Sequence, residues 1–516
     1  MEMNDRKNTN LLCKVFLILV FSVSVTGMNA QEILTLDKAL SYAEKGSPDL
    51  QSQELNLTRN QKTLEAQRDA LKSQFSLSVE PINYSNSRRF DARTSQWFTN
   101  KSFTTLGTFR ISQPILPTDG TISLNNQFEW QNSSSLISGA PAATTNKAFQ
   151  NNLYVSLTQP LFTYNRTKVQ LTQLQLNLEN AQISYALQRL NLERTVTQDF
   201  YNVYLDQENL RIARDEMKNT QESYDITKNK YNAGLSAKDE LIQAELNLYS
   251  AISTVQNDSI SLENSKDQLK LYLGMDLYQD ITVLADTAAN PVPVNLDKAI
   301  TNGLNSRMEL RQREIDIQNG QFSMLAVKAQ NEFKGSMNLN FGFTGDDANL
   351  GNIYANPTKS PQVTLSFDIP LYDWGEKKAR IAAQEASNQT NELNLSNEKN
   401  QIVISIRQVY RNLMNELNQI TIARKNQTDA EVTYDLNLDR YQNGDLTSME
   451  LEQFQTQLSQ KKIALAQAKI NYKIELLNLK IQSLYDFVNN KPVLPKELYL
   501  TNNTKNTNNI NITNNK

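Results

Sequence analysis

Hydrophobic residues recur every seven positions along two long stretches of the chain. Six residues share this spacing in the first stretch: Val196, Val203, Leu210, Met217, Tyr224 and Tyr231. The second stretch repeats it with one polar exception: Ile406, Leu413, Ile420, Gln427, Tyr434 and Tyr441. Sevenfold spacing is typical of helices that pack along a seam in coiled-coil fashion. On this feature alone, a generic coiled coil is the simplest interpretation.

Each stretch predicts one very long helix followed by a second helix that runs back. Residues 166–230 and 376–443 contain no proline or glycine, and the first can extend for about 98 Å at ~1.5 Å per residue. Gly234 and Gly444 then supply positions that end a helix. The pattern therefore predicts long helical hairpins at 165–274 and 375–488, far longer than a compact domain needs.

Short segments of alternating hydrophobic and polar residues lie between the helical stretches. Met337, Leu339 and Phe341 show this alternation, and so do segments before each long helix. The predicted strands are about 75–84, 152–162, 335–345 and 361–371. Strands of ~9–11 residues with one apolar face suit a transmembrane β-barrel. The alternative is a half-buried strand of a soluble sheet, but no obvious partner layer is left to cover the apolar faces.

Four strands cannot close a barrel around a pore. Open sheet edges are not tolerated in lipid, so the chain must oligomerise to complete the wall. The polar strand faces, rich in Ser, Thr and Asn, would then line water.

The chain also repeats itself, which is typical of an internally duplicated fold. Leu36-Asp37-Lys38-Ala39 recurs as Leu296-Asp297-Lys298-Ala299, and Gln159-Pro160-Leu161-Phe162 returns as Ile369-Pro370-Leu371-Tyr372. We therefore predict a first repeat at 31–275 and a second at 296–488, joined by a linker at 276–295. The remaining segment, 489–516, is a polar tail that we expect to be disordered from about 501.

The first repeat contains about fifty residues that the second lacks, at about 85–150. Pro117-Thr118-Asp119-Gly120 is a turn signal within this insertion, and hydrophobic residues alternate on both sides of it. The insertion therefore predicts an extra hairpin. Two interpretations remain open, because the hairpin either adds strands to the barrel or extends its extracellular surface.

Composition excludes several classes of function. The 52 basic and 55 acidic residues nearly balance, so no basic surface indicates nucleic acid. Histidine is absent and the one cysteine is Cys13, which removes the commonest general base and metal ligand. Residues 1–30 have the charged start, short apolar run and small-residue end of a signal peptide, with a membrane anchor as the alternative. No cofactor, metal or nucleotide site is expected.

Two copies of this helix–strand–strand–helix order resemble the TolC family of outer-membrane efflux proteins. The junctions ending in Pro160-Leu161-Phe162 and Pro370-Leu371-Tyr372 match that family, as do the hairpin tips at Tyr231-Asn232-Ala233-Gly234 and Tyr441-Gln442-Asn443-Gly444. The resemblance implies a mainly α fold with transmembrane β-strands and a duplicated unit with a long helical hairpin. It also implies a trimeric outer-membrane β-barrel continued by a periplasmic α-helical barrel, with residues 276–295 in an equatorial belt.

The resemblance further implies a pore constriction at the hairpin tips, where acidic rings select cations. Glu450 falls on one such position, and Glu240, beside Asp239, is its counterpart in the first repeat. Gln453 falls where the best-known member has a second ring acid, and Leu446 falls where that member has an arginine that helps to hold the tip closed. We therefore expect a weaker charge ring and a differently built closed state. The alternative is structural, because Thr447 and Glu450 fit a capping box and acids favour a first helical turn.

The leading functional hypothesis is a passive exit duct of a tripartite efflux or type I secretion system. A homotrimer in outer-membrane lipid would export small molecules or proteins, with a periplasmic adaptor gripping the tips near Tyr231, Gly234, Tyr441 and Gly444, and an inner-membrane pump supplying the energy. A coiled-coil stalk or adhesin without a channel is the second hypothesis. An enzyme is the third, although no catalytic constellation stands out.

Overall fold

A computed structural model describes residues 32–138 and 141–493. The predicted signal peptide at 1–30 and the tail expected to be disordered from about 501 lie outside these residues. The chain forms two compact units. The helical unit comprises the chain up to Leu55, Ile183–Met308 and the chain from Glu398 onward. The sheet unit comprises Asn56–Gln182 and Glu309–Asn397.

The α-helices of the described part of the chain fall into two matching sets of four. The first set is α1 (Leu36–Gly46), α2 (Pro48–Ala70), α3 (Arg166–Asn232) and α4 (Lys238–Leu273). The second set is α5 (Leu296–Ser306), α6 (Met308–Lys328), α7 (Glu376–Asn443) and α8 (Ser448–Ser483). The long helices α3 and α7 have 67 and 68 residues, and α4 and α8 have 36 each. This correspondence confirms the predicted mainly helical, duplicated fold. None of the described helices carries an apolar stretch that could cross a bilayer.

The repeated Leu-Asp-Lys-Ala segments begin equivalent helices by equivalent means. Thr35 caps α1, because its hydroxyl accepts a hydrogen bond from the Lys38 backbone N–H. The Asn295 side chain caps α5 in the same way, accepting from Lys298 N. Each cap satisfies a backbone donor that the first helical turn would otherwise leave without a partner.

The sevenfold hydrophobic seams form the core of the helical unit. Val196 and Val203 on α3 are fully buried, as are Ile406 and Leu413 on α7. Burying side chains of this size stabilises the fold by roughly 1.5–3 kcal/mol each. The seams therefore hold together helices whose outer faces are polar along much of their length.

The linker and the end of the second hairpin differ in detail from the sequence-based prediction. Within 276–295, β6 (Ile281–Val283) pairs in parallel with β1 (Glu32–Leu34). Helix α8 ends at Ser483 rather than near 488, because Leu484 adopts a left-handed conformation with φ 48°. The chain then forms β10 (Tyr485–Asp486), which pairs with β11 (Lys491–Pro492) inside the segment predicted as a polar tail.

The sheet unit contains one antiparallel sheet built from both repeats. Its long strands are β2 (Gln74–Asp91), β3 (Gln96–Ile115), β4 (Gly120–Ile137), β5 (Thr144–Leu161) and β7 (Lys334–Asp347). These pair in that order, and β7 also pairs with the shorter β8 (Thr358–Lys359) and β9 (Gln362–Asp368). Strand β5 of the first repeat pairs directly with β7 of the second, so the sheet joins the two repeats.

Several strand limits differ from those expected from the alternation. Strand β2 continues to Asp91, beyond the expected end near 84, because its Ser- and Asn-rich second half pairs with β3 through backbone hydrogen bonds. Strand β9 ends at Asp368, before the expected end near 371, because Pro370 has no N–H to donate to a ladder. The 85–150 insertion supplies β3, β4 and parts of β2 and β5, so it adds strands to the sheet.

The turn between β3 and β4 also caps the long helix α3. Asp119, held at φ 61°, accepts hydrogen bonds from the backbone N–H groups of Arg166 and Thr167 and from the Thr167 hydroxyl. Asn165 contributes as well, because its side chain accepts from Lys168 N and donates to Leu116 O. The turn of the inserted hairpin therefore satisfies the backbone donors in the first turn of α3.

Replacing Asp119 with Ala should lower the free energy of unfolding by about 1 kcal/mol, the typical value of a helix N-cap. Asp119→Asn should cost less, since Asn keeps an acceptor oxygen and tolerates a positive φ. Denaturant-induced unfolding of the purified protein would measure both. Equal losses for Ala and Asn would show that the hydrogen bonds to α3 contribute little.

Candidate functional site

The two faces of the sheet differ sharply in polarity. One row across five neighbouring strands is apolar: Phe75, Ile111, Leu124, Val155 and Phe341. A row on the opposite face is polar: Ser78, Thr108, Gln127, Asn152 and Thr344. The apolar face is exposed, with Leu77 at 70% and Val363 at 74% of full exposure. An exposed apolar sheet face of this size marks a surface that meets lipid or another apolar partner.

Hydrogen bonds link side chains across the polar face. The Arg110 Nε donates to Asn125 Oδ1 at 2.8 Å, and Asn125 in turn donates to the Ser123 hydroxyl at 2.9 Å. The Ser123 and Ser156 hydroxyls lie 2.7 Å apart and connect β4 to β5. A face lined by such groups is suited to contact with water.

Aromatic rings cluster near both ends of the apolar face. Near the helices, Phe333 lies 5.3 Å from Phe162 and 5.6 Å from Phe367. Near the opposite end, Phe103 lies 5.6 Å from Trp130. Strand β7 has 14 residues, which span roughly 35 Å at ~3.3 Å per residue and a tilt of ~40°. This height covers the ~30 Å hydrocarbon core of a bilayer, with aromatic rings near its two boundaries.

In the helical unit, both hairpins turn at a glycine with positive φ. Gly234 has φ 75° and Gly444 has φ 88°, a conformation that glycine adopts without strain. Leu235 N donates to Lys230 O, and Asp445 N donates to Arg440 O, so both tips close in the same way. The predicted tip residues therefore lie at equivalent turns.

The two tip tyrosines nevertheless have different surroundings. Tyr231 is 37% exposed, whereas Tyr441 is 1% exposed. The Tyr441 hydroxyl lies 2.7 Å from the Thr227 hydroxyl and donates to Ser223 O. Lys230 donates to the carbonyl oxygen of Tyr441 and lies 4.8 Å from the centre of its ring. These contacts hold the end of α7 against the end of α3.

The structure brings two of the three predicted constriction acids to one cleft. Glu240 and Glu450 line an open cleft of about 590 Å³ between the tips, together with Lys230. Asp239 is exposed and is not part of the lining of this cleft. Glu450 forms the capping box, because its carboxylate accepts from Thr447 N while the Thr447 hydroxyl accepts from Glu450 N. These hydrogen bonds hold the Glu450 pKa below its ordinary value.

A sequence model of the outer membrane efflux protein family matches residues 39–275 and 304–481. The chain belongs to this family. Membership confirms the family resemblance and the predicted location in the outer membrane.

Relatives and solved structures agree with this assignment. A probable outer membrane lipoprotein, SilC of Salmonella typhimurium, is 23% identical over 208 residues, which cover 39% of this chain and 44% of that relative. The CmeC outer membrane channel of Campylobacter jejuni has 15% identity and a TM-score of 0.66, covering 91% of this chain and 88% of that one. The open MtrE channel of Neisseria gonorrhoeae has 14% identity and a TM-score of 0.63, covering 89% and 91%.

The helical unit also contains a polar cluster that the sequence analysis missed. Gln455 on α8 is 3% exposed and donates to Glu216 O at 2.8 Å and to the Thr220 hydroxyl at 3.3 Å, both on α3. Thr220 donates in turn to the Glu452 carboxylate. The signal for it was a polar residue, Gln455, between the seam residues Leu451 and Leu458. Across residues 32–138 and 141–493, no group of three or more His, Cys, Asp or Glu could hold a metal ion.

The surroundings of Glu452 in this cluster shift the pKa of its carboxyl group. Burial raises the pKa of Glu452, and the nearby Glu216 carboxylate raises it further. A raised carboxyl pKa means that the folded protein binds the proton more tightly than the unfolded chain does. The stability of the protein should therefore increase as the pH falls through the raised pKa of Glu452 towards the ordinary value of 4.5.

Replacing Glu452 with Gln should raise the melting temperature at pH 8 by roughly 1–2 °C, because it removes a partly buried charge beside Glu216. The gain should be smaller at pH 5 than at pH 8, because the raised pKa makes the wild-type carboxyl take up its proton at a higher pH than an ordinary Glu does. Thermal denaturation at both pH values would measure this, with the exposed Asp439→Asn on α7 as the control. A lower melting temperature for Glu452→Gln at pH 8 would contradict the assignment.

Proposed function

We propose that three copies of this chain form the passive exit duct of a tripartite efflux or type I secretion system. The supporting observation is the two-faced sheet, whose apolar face suits lipid and whose polar face suits a water-filled lumen. In this proposal the duct exports small molecules or proteins across the periplasm and outer membrane. An inner-membrane pump supplies the energy and selects the substrate.

The open edges of the sheet support the trimer. Strand β2 pairs only with β3 among the described strands, and its residues are exposed along nearly its whole length. In a bilayer, unpaired backbone N–H and C=O groups cost several kcal/mol each. Pairing of β2 with an edge strand of a second copy would satisfy these groups and close the wall.

Exposed apolar stripes on the helices support the same arrangement. On α4, Ile242, Leu246 and Tyr249 are exposed at the spacing of one helical face. On α7, Val432 and Leu436 are exposed, although other residues of that helix form a buried seam. A helix with two apolar stripes is suited to contact two neighbours, one within the chain and one in the next copy.

The helix tips are the proposed docking region for a periplasmic adaptor. Tyr231, Leu235 and Met449 are exposed there, with Leu235 at 79% of full exposure. Gly234 and Gly444 shape the two turns. Tyr441, which the sequence analysis placed in the same surface, is buried against α3 and would support the docking surface from beneath.

Electron microscopy of the detergent-extracted protein, combined with conductance in planar bilayers, tests the duct. The expected result is threefold particles with a hollow helical stalk, about 100 Å long from the helix rise, and ion conductance from the same preparation. Solid rods or monomers without conductance would refute the duct and favour the coiled-coil stalk. Leu246→Glu should dissociate the particles if the α4 stripe contacts a second copy.

Glu450, with Glu240 and Asp239, is proposed to form the cation-selective constriction. Glu450→Gln should reduce the cation selectivity of the reconstituted channel, because Gln removes the charge but can still complete a capping box. Measuring the reversal potential in a salt gradient would report the change. Glu450→Ala, which removes both the charge and the cap, is the comparison. Unchanged selectivity in Glu450→Gln would leave this residue with the capping role alone.

A further inference from the structure

The sheet has a helix end and a turn end. The strands join α2, α3, α6 and α7 at the helix end, near Gln74, Leu161, Lys334 and Asp368. At the turn end, residues 92–95 connect β2 to β3, residues 348–357 connect β7 to β8, β4 ends at Ile137 and β5 begins at Thr144. Strands β2 to β5 extend past the ring pairs Phe103–Trp130 and Phe128–Phe149, so this part of the sheet rises beyond the expected boundary of the hydrocarbon core and ends at the ring pair Phe90–Trp97.

In this extension, polar and charged residues replace many of the apolar residues on the membrane-facing side of the sheet. Trp130 pairs with Phe149, and the next row on the same face contains Phe103, Asn132 and Lys147. The rows beyond it contain Lys101 opposite Ser134, and then Arg88 opposite Thr99. Residues two apart on a strand share a face, so Lys147 on β5, Lys101 on β3 and Arg88 on β2 continue the membrane-facing side of the sheet in successive rows, which follow one another at ~6.8 Å along the strands.

These three cations are exposed and available to bind anions. Arg88, Lys101 and Lys147 all have exposed side chains. The ion pairs formed within residues 32–138 and 141–493 do not include them. Arg88 lies 4.8 Å from the centre of the Trp97 ring, which orients its guanidinium on this face. A carboxylate on the same face, that of Asp347 opposite Phe149, is engaged by a hydrogen bond from the Asn349 backbone N–H.

Polar side chains surround the cations. Lys101 pairs with Asn86 on one side and with Ser134 on the other, and Lys147 pairs with Asn132. The cationic surface, defined as Arg88, Lys101 and Lys147 with these neighbours, lies directly above an aromatic belt. The ring pairs Phe103–Trp130 and Phe128–Phe149 form that belt, at 5.6 and 6.3 Å.

We infer that the cationic surface binds the phosphate groups of the glycolipid that forms the outer leaflet of the outer membrane. Its orientation rests on the proposed function, which places the helices in the periplasm and the turn end outside. Charge complementarity favours this occupant, since Arg and Lys bind phosphate oxygens through short, charge-assisted hydrogen bonds. The aromatic belt places the cationic surface just beyond the hydrocarbon core, and the phosphates of the lipid headgroups lie at the same depth.

Native mass spectrometry of the detergent-purified protein with added lipid A tests the inference. The probes are bis-phosphorylated lipid A and the same molecule after removal of both phosphates. The wild-type protein should bind the phosphorylated form at least about tenfold more tightly, given the usual contribution of each Lys or Arg near an anionic surface. The triple variant Arg88→Gln, Lys101→Gln, Lys147→Gln should lose this preference.

Arg89→Gln is the matched control, because Arg89 neighbours Arg88 on β2 but lies on the opposite face. It should keep the wild-type preference for phosphorylated lipid A. Equal preference in the triple variant and the wild type would overturn the inference, as would loss of the preference in Arg89→Gln. Conductance of the same samples separates the two proposals. A protein that conducts ions but does not prefer phosphorylated lipid A refutes the cationic surface alone. A protein that prefers phosphorylated lipid A but does not conduct refutes the duct alone.

Discussion

The requirement that every backbone N–H and C=O group finds a partner in lipid governs the sheet unit. Strands β2, β3, β4, β5 and β7 meet it through a continuous antiparallel ladder that joins the two repeats, and the 85–150 insertion lengthens that ladder with two further strands. Strand β2 meets this requirement on one edge only, since the backbone groups of its other edge have no partner strand in the described chain. The proposed pairing between copies follows from that edge, whereas the two-faced wall follows from the alternation of apolar and polar side chains along the strands.

In the helical unit, packing rather than backbone pairing sets the arrangement. Buried seam residues such as Val203 and Ile406 align the long helices, and the polar cluster around Gln455 fixes their register at one level. Polar groups buried within a seam cost stability unless they are hydrogen-bonded, but they specify one alignment among several that a purely apolar seam permits. Burial of the charged Glu452 in this cluster adds a dependence on pH that the seam itself does not have.

Duplication has produced equivalent elements with different local roles. Gly234 and Gly444 end their helices by the same turn, yet Tyr441 is buried against Thr227 while Tyr231 remains exposed. The two caps near the tips also differ. Glu450 closes a capping box with Thr447, whereas Glu240 accepts from the Ser236 hydroxyl and α4 has no side-chain N-cap bond. One repeat therefore holds the tips together while the other presents the more exposed tyrosine.

The sequence by itself determined the duplication, the long helices and the two-faced strands, because helix length and side-chain periodicity are local properties of the chain. It also placed Thr447 and Glu450 in a capping box, a signature that lies within four residues. Tertiary structure decided the length of β2, the ordering of the inserted strands, the burial of Tyr441 and the cationic surface of Arg88, Lys101 and Lys147. Each of these depends on pairing between distant segments, and the Ser- and Asn-rich strands show little hydrophobic alternation to reveal that pairing.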